Sequence, residues 1–336
     1  MYIILAILAF GVLILIHELG HFTLAKINGV KVEKFSIGMG PDLFKIKGKE
    51  TTYAIGLLPI GGYVKMTGED QPSDEEGSFS SKSPLRRISI ILAGAFMNYV
   101  LAIVIFMAIT YNFGYRKTIV DNVVPNSPAQ EAGILENDKI SKINDHKVFS
   151  NSDISTGINL LKGQDVNVEV IRDGEKKEFN ITPEKTDEGL YMVGIYFQVD
   201  QNPSIVTSFT ESLNQTKSLV SQTFQSLKLL VTGKLSLKTD VGGPVSIVKM
   251  SAETAKSGIW NLIFFTGFIS VNLAVMNLLP FPALDGGWAV ILLIELISGK
   301  KVPDKVVGVI NTVGFALLMA FMLIVTVKDI LFPIKF

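Results

Sequence analysis

Four apolar stretches constrain this chain more than any other feature, because each is at least as long as a bilayer core is thick. They run from about Tyr2 to Ala25, Ile88 to Tyr111, Ile259 to Ile297 and Val306 to Val327. A helix needs about 20 apolar residues to cross hydrocarbon, so the first, second and last suit single crossings. The third is too long for one straight helix. A hydrophobic content of 48% and a mean hydropathy of +0.39 fit a membrane protein with a substantial polar portion. The first stretch is not read as a signal peptide, since it has no basic residues ahead of it and no A-x-A site after it.

Four crossings put both termini on one side, and the lysine and arginine bias sets which side. The segment 26–87 holds ten basic and eight acidic residues, whereas 114–203 holds ten basic and fifteen acidic. The expected orientation places 26–87 in the cytoplasm and both the termini and 114–257 outside. A net charge of zero and the lack of a phosphate loop or basic aromatic stripe give no argument for nucleic acid. With no cysteine in the chain, thiol nucleophiles, thiolate ligands and disulfides are all excluded.

The first apolar stretch carries His17-Glu18-Leu19-Gly20-His21, and two of the chain's three histidines are there. Imidazoles four residues apart share one face of a helix and can reach one metal ion. The intervening glutamate is close enough to act on a water in the open fourth position. H-E-x-x-H is the zinc metalloprotease signature. His17 precedes the end of its apolar run by about 10 Å of helical rise, so the site is expected inside the bilayer near its inner face. Hydrolysis at that depth requires a protein-lined cavity open to water.

Asn277-Leu-Leu-Pro280-Phe-Pro282-Ala-Leu-Asp285-Gly286-Gly287 interrupts the third stretch. Two prolines remove backbone donors and break the helix. A buried carboxylate there needs a strong partner, which makes Asp285 the candidate third ligand. The plainer reading is a helix break with Asp285 at the start of the next half-helix. Asn277 is a candidate for holding a substrate carbonyl or developing oxyanion, or else for tying down backbone freed by Pro280. Gly94 and Asn98 in the second stretch suit close helix packing, with Asn98 a weaker site candidate.

Between the first two stretches, 30–66 reads as a small β-sheet, including Leu43–Ile46 and Thr51–Ile55. An exposed edge of it would suit capture of an unwound strand; a sheet that only plugs the cavity is the alternative. The acidic, serine-rich 69–83 reads as a solvated loop. Residues 120–199 read as a compact β-rich module with a short helix opened by Ser127-Pro128, and His146 lies at its surface in a turn. Then 205–230 places Val206, Phe209, Leu213, Val220, Phe224 and Leu227 at helical spacing. That is an amphipathic helix lying on the outer membrane surface or bracing the module.

His17-Glu18-x-x-His21 and the Asn277-to-Gly286 motif resemble those of the site-2 proteases, intramembrane zinc metalloproteases, and in particular the bacterial RseP-like branch. Gly38–Pro41, Pro59–Met66 and Gly94–Asn98 extend the resemblance over nearly the whole chain. It implies His17, His21 and Asp285 as Zn2+ ligands, Glu18 as catalytic base and Asn277 as a residue near the scissile backbone. It also implies a single PDZ-like domain in place of the two that some relatives carry.

The fold expected is an α-helical integral membrane protein with four transmembrane segments, a small cytoplasmic-side membrane-associated β-sheet and an inserted α+β PDZ-like domain. Its parts are 1–113, the N-terminal membrane part; 114–203, the PDZ-like domain; 204–257, an amphipathic helix and connector; and 258–336, the C-terminal membrane part. The function implied is cleavage, in the bacterial inner membrane, of transmembrane segments of single-span proteins. These would be anti-sigma factors or remnant signal peptides, pre-trimmed by a site-1 protease, in regulated intramembrane proteolysis. A metal transporter and a non-catalytic PDZ scaffold are the rival readings; Glu18 between the histidines and the lack of further metal-binding clusters argue against the transporter.

Overall fold

The computed structural model describes residues 1–69, 73, 75–160, 162–236 and 241–333. Helix α1 (Tyr2–Ile27) leads into strands β1 (Val32–Lys47) and β2 (Thr52–Met66) and helix α2 (Pro84–Phe113). There follow β3 (Tyr115–Val123), α3 (Pro128–Ala132), β4 (Lys139–Ile143), β5 (His146–Lys147), α4 (Asn151–Leu160), β6 (Val166–Arg172) and β7 (Glu175–Ile181). The strands β8 (Glu184–Lys185), β9 (Tyr191–Met192) and β10 (Ile195–Asp200) precede α5 (Ile205–Val231), α6 (Pro244–Lys256), α7 (Ile259–Asn277), α8 (Asp285–Ser298) and α9 (Asp304–Leu331). Two compact units result: Met1–Ala102 with Lys228–Phe336, and Ile103–Leu227.

In the first unit lie α1, α7, α9 and the greater part of α2, helices long and apolar enough to cross a membrane. Their outward residues, such as Leu8 at 60% and Leu323 at 62% exposure, suit lipid rather than water. The long third stretch is divided, as its prolines require, into α7 and α8 on either side of residues 278–284. α1 continues to Ile27, so His17 lies about 15 Å of rise before its end, farther than the apolar run alone indicates. Helix α6, absent from the sequence reading, packs against α1, α7 and α9.

The sheet of this unit is a hairpin folded back on itself. The stretch 34–37 of β1 pairs with 62–65 of β2 on one side and with 52–55 on the other, and 42–47 then pairs with 52–56. Gly38 and Gly40, at φ +85° and +86°, allow β1 to reverse between its halves. The 58–66 edge of β2 lies on the α1 side, since its Gly62 packs against Ile14 and Glu18. Parts of 69–83 lie outside the described residues. Of the remainder, Ser78 and Phe79 are buried, so this stretch is not wholly the solvated loop expected. Phe79 joins a core with Ala25, Val30, Val32, Ile90 and Leu292.

The second unit is an antiparallel sheet in the order β10-β3-β4-β6-β7, with β5 paired to β4. Inward residues Val120, Ile140, Ile143, Val166, Val168, Val170 and Ile181 form its core. Ser127 caps α3 by accepting from the Gln130 amide, and Gly133 ends it at φ +92°. His146 faces Ile143 across the β4–β5 turn and is half-buried rather than fully at the surface. Helix α5 buries its hydroxyl face: Ser208, Ser212 and Ser218 are wholly enclosed, while Val206 and Phe209 stay 74% and 47% exposed. Ser218 and Gln222 donate to the Asp153 carboxylate of α4 at 2.6 and 3.0 Å, which braces the helix within this unit.

Candidate metal centre

α1 contains no proline and is apolar on all sides, the pattern of a helix surrounded by lipid and packed helices. Against that background His17 and His21 fall on one face, each only 9% exposed. α2 lies against this face at very short range. A β-carbon on Gly20 would meet the Ala93 carbonyl oxygen at 2.3 Å, and one on Gly94 would meet Nε2 of His21 at 2.4 Å. His21 donates its Nδ1–H to the Ile90 carbonyl at 2.9 Å, which leaves the Nε2 lone pair free. The other ring meets Asn98, whose Nδ2 is 3.2 Å from Nδ1 of His17.

The helix break supplies the third group. Leu278 ends α7 with its amide bonded to the Ala274 carbonyl, Ala283 adopts a left-handed φ of +70°, and Asp285 opens α8. A carboxylate in the first turn is favoured by the helix dipole. Gly286 lets this turn press onto the loop, since a β-carbon there would lie 2.3 Å from the Leu279 oxygen. Oδ2 of Asp285 thereby comes to 3.3 Å from Nε2 of His17 and 3.6 Å from Nε2 of His21.

With 3.2 Å between the two Nε2 atoms, the three donors form a nearly equilateral triangle. Donors placed tetrahedrally about 2.0–2.1 Å from zinc stand about 3.3 Å apart, so the triangle fits one face of that tetrahedron. Oδ2 of Asp285 is buried and makes no hydrogen bond among the described residues. That is a costly state for a carboxylate, and a cation relieves it. Two imidazoles and one carboxylate are also the donor set of catalytic zinc, with one position left open. His17, His21 and Asp285 form the one such cluster among the described residues.

Glu18, the next residue on α1, is half-buried against β2. A β-carbon on Gly62 would lie 3.2 Å from its Cγ, and its carboxyl sits beside the Val64 backbone within electrostatic range of both imidazoles. Asn277 closes α7 half-buried, and its side chain makes no hydrogen bond among the described residues. It therefore does not tie down the backbone freed by Pro280. Sequence reasoning missed the contact of Gly94 with both rings, having read Gly94 as helix packing. It held Asn98 only as a weak candidate, on an amide in an apolar run and on the Gly94–Asn98 resemblance.

The model of peptidase family M50 matches residues 5–321. A Clostridium perfringens protein named as a candidate zinc metalloprotease is 50% identical over 334 residues, covering 99% of this chain and 100% of the relative. The zinc metalloprotease RasP of Geobacillus kaustophilus is 30% identical over 412 aligned residues, covering 98% and 97%. The RasP of Bacillus licheniformis is 31% identical over 414, covering 98% of each.

Proposed function

The chain belongs to peptidase family M50, the site-2 protease family of zinc metalloproteases, and on that premise we propose that it cleaves the transmembrane segments of single-span membrane proteins. The observation that carries this reading is the triangle of His17, His21 and Asp285 donors built on helices apolar enough to span a membrane. Anti-sigma factors and remnant signal peptides, pre-trimmed outside by a site-1 protease, are the substrate types of the RseP-like branch to which we assign the chain. The process is regulated intramembrane proteolysis.

His17, His21 and Asp285 would hold the zinc, which when bound would supply Lewis acidity at the scissile carbonyl. Glu18 takes a proton from the attacking water and passes it to the leaving amine nitrogen. Asn277 holds the substrate carbonyl or its developing oxyanion. A helical substrate keeps its amides paired internally and must unwind before attack. The 58–66 edge of β2 pairs on one side only among the described residues and runs beside Glu18, which supports capture of the unwound segment by strand addition.

Residues 1–113 and 258–336 form the two membrane parts, 114–203 the PDZ-like domain and 204–257 the connecting helical region. The Ser127-capped helix and antiparallel sheet of the insert support the PDZ-like assignment. We place this domain outside the cell and the active site near the cytoplasmic face of the bacterial inner membrane. There the domain turns away proteins with bulky external parts.

The test is Glu18→Gln in the purified protein, with bound zinc and cleavage of a single-span substrate measured together. The variant is expected to keep its zinc and lose cleavage by about 100- to 10,000-fold. Undiminished cleavage would reject the reading.

A further inference from the structure

We propose that Asn98 is a positioning residue of the metal centre: its amide oxygen accepts the Nδ1 proton of His17 and so commits Nε2 of that ring to the cation. The inference rests on the proposed role of His17 as a ligand and extends it one layer outward.

A neutral imidazole carries one proton and offers one lone pair. A ring that gives Nε2 to a cation must keep its proton on Nδ1 and needs an acceptor there. His21 has one, the Ile90 carbonyl at 2.9 Å. For His17 the atom within hydrogen-bonding distance of Nδ1 belongs to the Asn98 amide, 3.2 Å away. The Gly94 carbonyl is also near the ring.

Asn98 is completely enclosed, and its Oδ1 meets no donor among the described residues. A buried amide oxygen without a partner is costly, and more so where water is excluded. The two ends of the amide are nearly the same size, and a half-turn about one torsion exchanges them. That half-turn sets Oδ1 against Nδ1 of His17 and gives the orphaned acceptor the proton that a ligating ring must carry. One residue can therefore serve either tautomer of His17.

The backbone at this position is pinned independently. Ser270 of α7, itself wholly buried, donates its hydroxyl to the Asn98 carbonyl at 2.8 Å. The amide thus projects from a fixed point toward the ring, in the manner of the carbonyl and carboxylate groups that orient metal-binding histidines.

The experiment measures zinc affinity by chelator competition on the full-length detergent-purified protein, with thermal unfolding recorded in parallel. The variants are Asn98→Leu, Asn98→Asp and His17→Ala. Asn98→Leu keeps the size but removes the acceptor, and is expected to weaken zinc binding by about 10- to 100-fold. Asn98→Asp restores an acceptor in the same place and is expected to bind zinc at least as tightly as the wild type.

Wild-type affinity in Asn98→Leu would overturn the inference and give the Nδ1 proton to the Gly94 carbonyl. A loss in Asn98→Asp as large as in Asn98→Leu would also overturn it, because a packing role alone predicts that result. Should Asn98→Leu fail to fold, the Asp variant decides alone: tight zinc supports the proposal and weakened zinc rejects it. If His17→Ala binds zinc normally, the ligand assignment itself fails. If only His17→Ala loses zinc, that assignment stands and the role of Asn98 falls.

Discussion

Gly94 lies so close to His17 that a β-carbon on it would stand 2.7 Å from Nε2 of the ring, and 2.4 Å from Nε2 of His21. The same crossing is tight from the other side, where Gly20 faces the Ala93 carbonyl. Two glycines on two helices thus set how near α2 comes to the imidazoles, and so fix the wall against which both rings rest.

Gly94→Ala should therefore act on the metal and not only on packing. The added methyl meets ring atoms that are themselves nine-tenths buried, so the imidazoles or the helices must move apart. Overpacking of this kind costs about 1–3 kcal/mol, and here the strain falls on two donors of the triangle. We expect Gly94→Ala to remain folded by helical content yet to bind zinc at least about tenfold more weakly, the loss typical of disturbed outer-shell contacts. Zinc measured against a calibrated chelator checks this, and unchanged affinity would refute the wall.

Arg87 of α2 and Glu295 of α8 form an ion pair 7% and 5% exposed, and Glu295 also accepts from the Val302 amide at 3.0 Å. The pair ties the beginning of α2 to the end of the helix that Asp285 opens. Removing one partner leaves the other charge buried alone, at about 3–5 kcal/mol. Arg87→Leu should lower the unfolding temperature markedly, while Arg87→Met with Glu295→Leu should recover most of the loss. A double variant as unstable as the single one would show that the charges contribute more than their mutual compensation.

The spans and the metal triangle were legible in the sequence because each depends on a short-range regularity. Spans announce themselves by unbroken apolar length, His17 and His21 by a spacing of four, and Asp285 by a carboxylate beside prolines that must break a helix. What was hidden depends on which faces meet. Periodicity identified two faces of α5 but not that Ser208, Ser212 and Ser218 would turn inward and leave Val206 exposed. Gly94 looked like any small residue in a packed helix until the position of the rings was known. Helix α6 was missed because its moderate polarity resembles a connector, and its order comes from contacts with α1, α7 and α9.

One of those contacts is a cap supplied from far along the chain. Asp329 near the end of α9, 1% exposed, accepts from the Gly243 amide at 3.1 Å and the Ser246 amide at 2.8 Å, at the start of α6. No side chain within α6 caps its own beginning. Asp329→Ala should cost about 1–2 kcal/mol, the range for lost N-terminal caps. The loss should be local, so hydrogen exchange over 244–250 should quicken about 5- to 30-fold while α8 is little changed. Equal acceleration in both helices would argue against a cap.

The insert carries its own acid sensitivity. The Glu169 carboxylate on β6 accepts from Ser141 Oγ at 2.6 Å, Lys142 Nζ at 3.0 Å and Lys176 Nζ at 3.3 Å. The Ser141 hydroxyl, then the two ammonium groups, hold its pKa down from 4.5 to about 2. A value lower in the folded state than in the unfolded stabilises the fold above about pH 4.5, and that contribution fades as pH falls toward 2. Glu169→Gln should therefore loosen β4, β6 and β7 at pH 7, with the difference from wild type shrinking through that window. Hydrogen exchange of these strands in the intact protein measures it. A difference that grows on acidification would contradict the assigned sign.

Metal removal tests the triangle as a structural element. Its donors come from residues as far apart as 17 and 285, and they meet only when α1 and α8 are in place. An ion bound by the folded chain and not by the unfolded one stabilises the fold by about 4 kcal/mol at a thousandfold excess over its Kd. A strong chelator should therefore lower the unfolding temperature and abolish cleavage together, and added zinc should restore both. Asp285→Ala should unfold at the same temperature with or without chelator, having lost a donor. Glu18→Gln keeps all three donors and should respond to chelator as the wild type does, although its cleavage should fall about 100- to 10,000-fold. An unfolding temperature that ignores chelator in the wild type would mean that these side chains do not hold the ion.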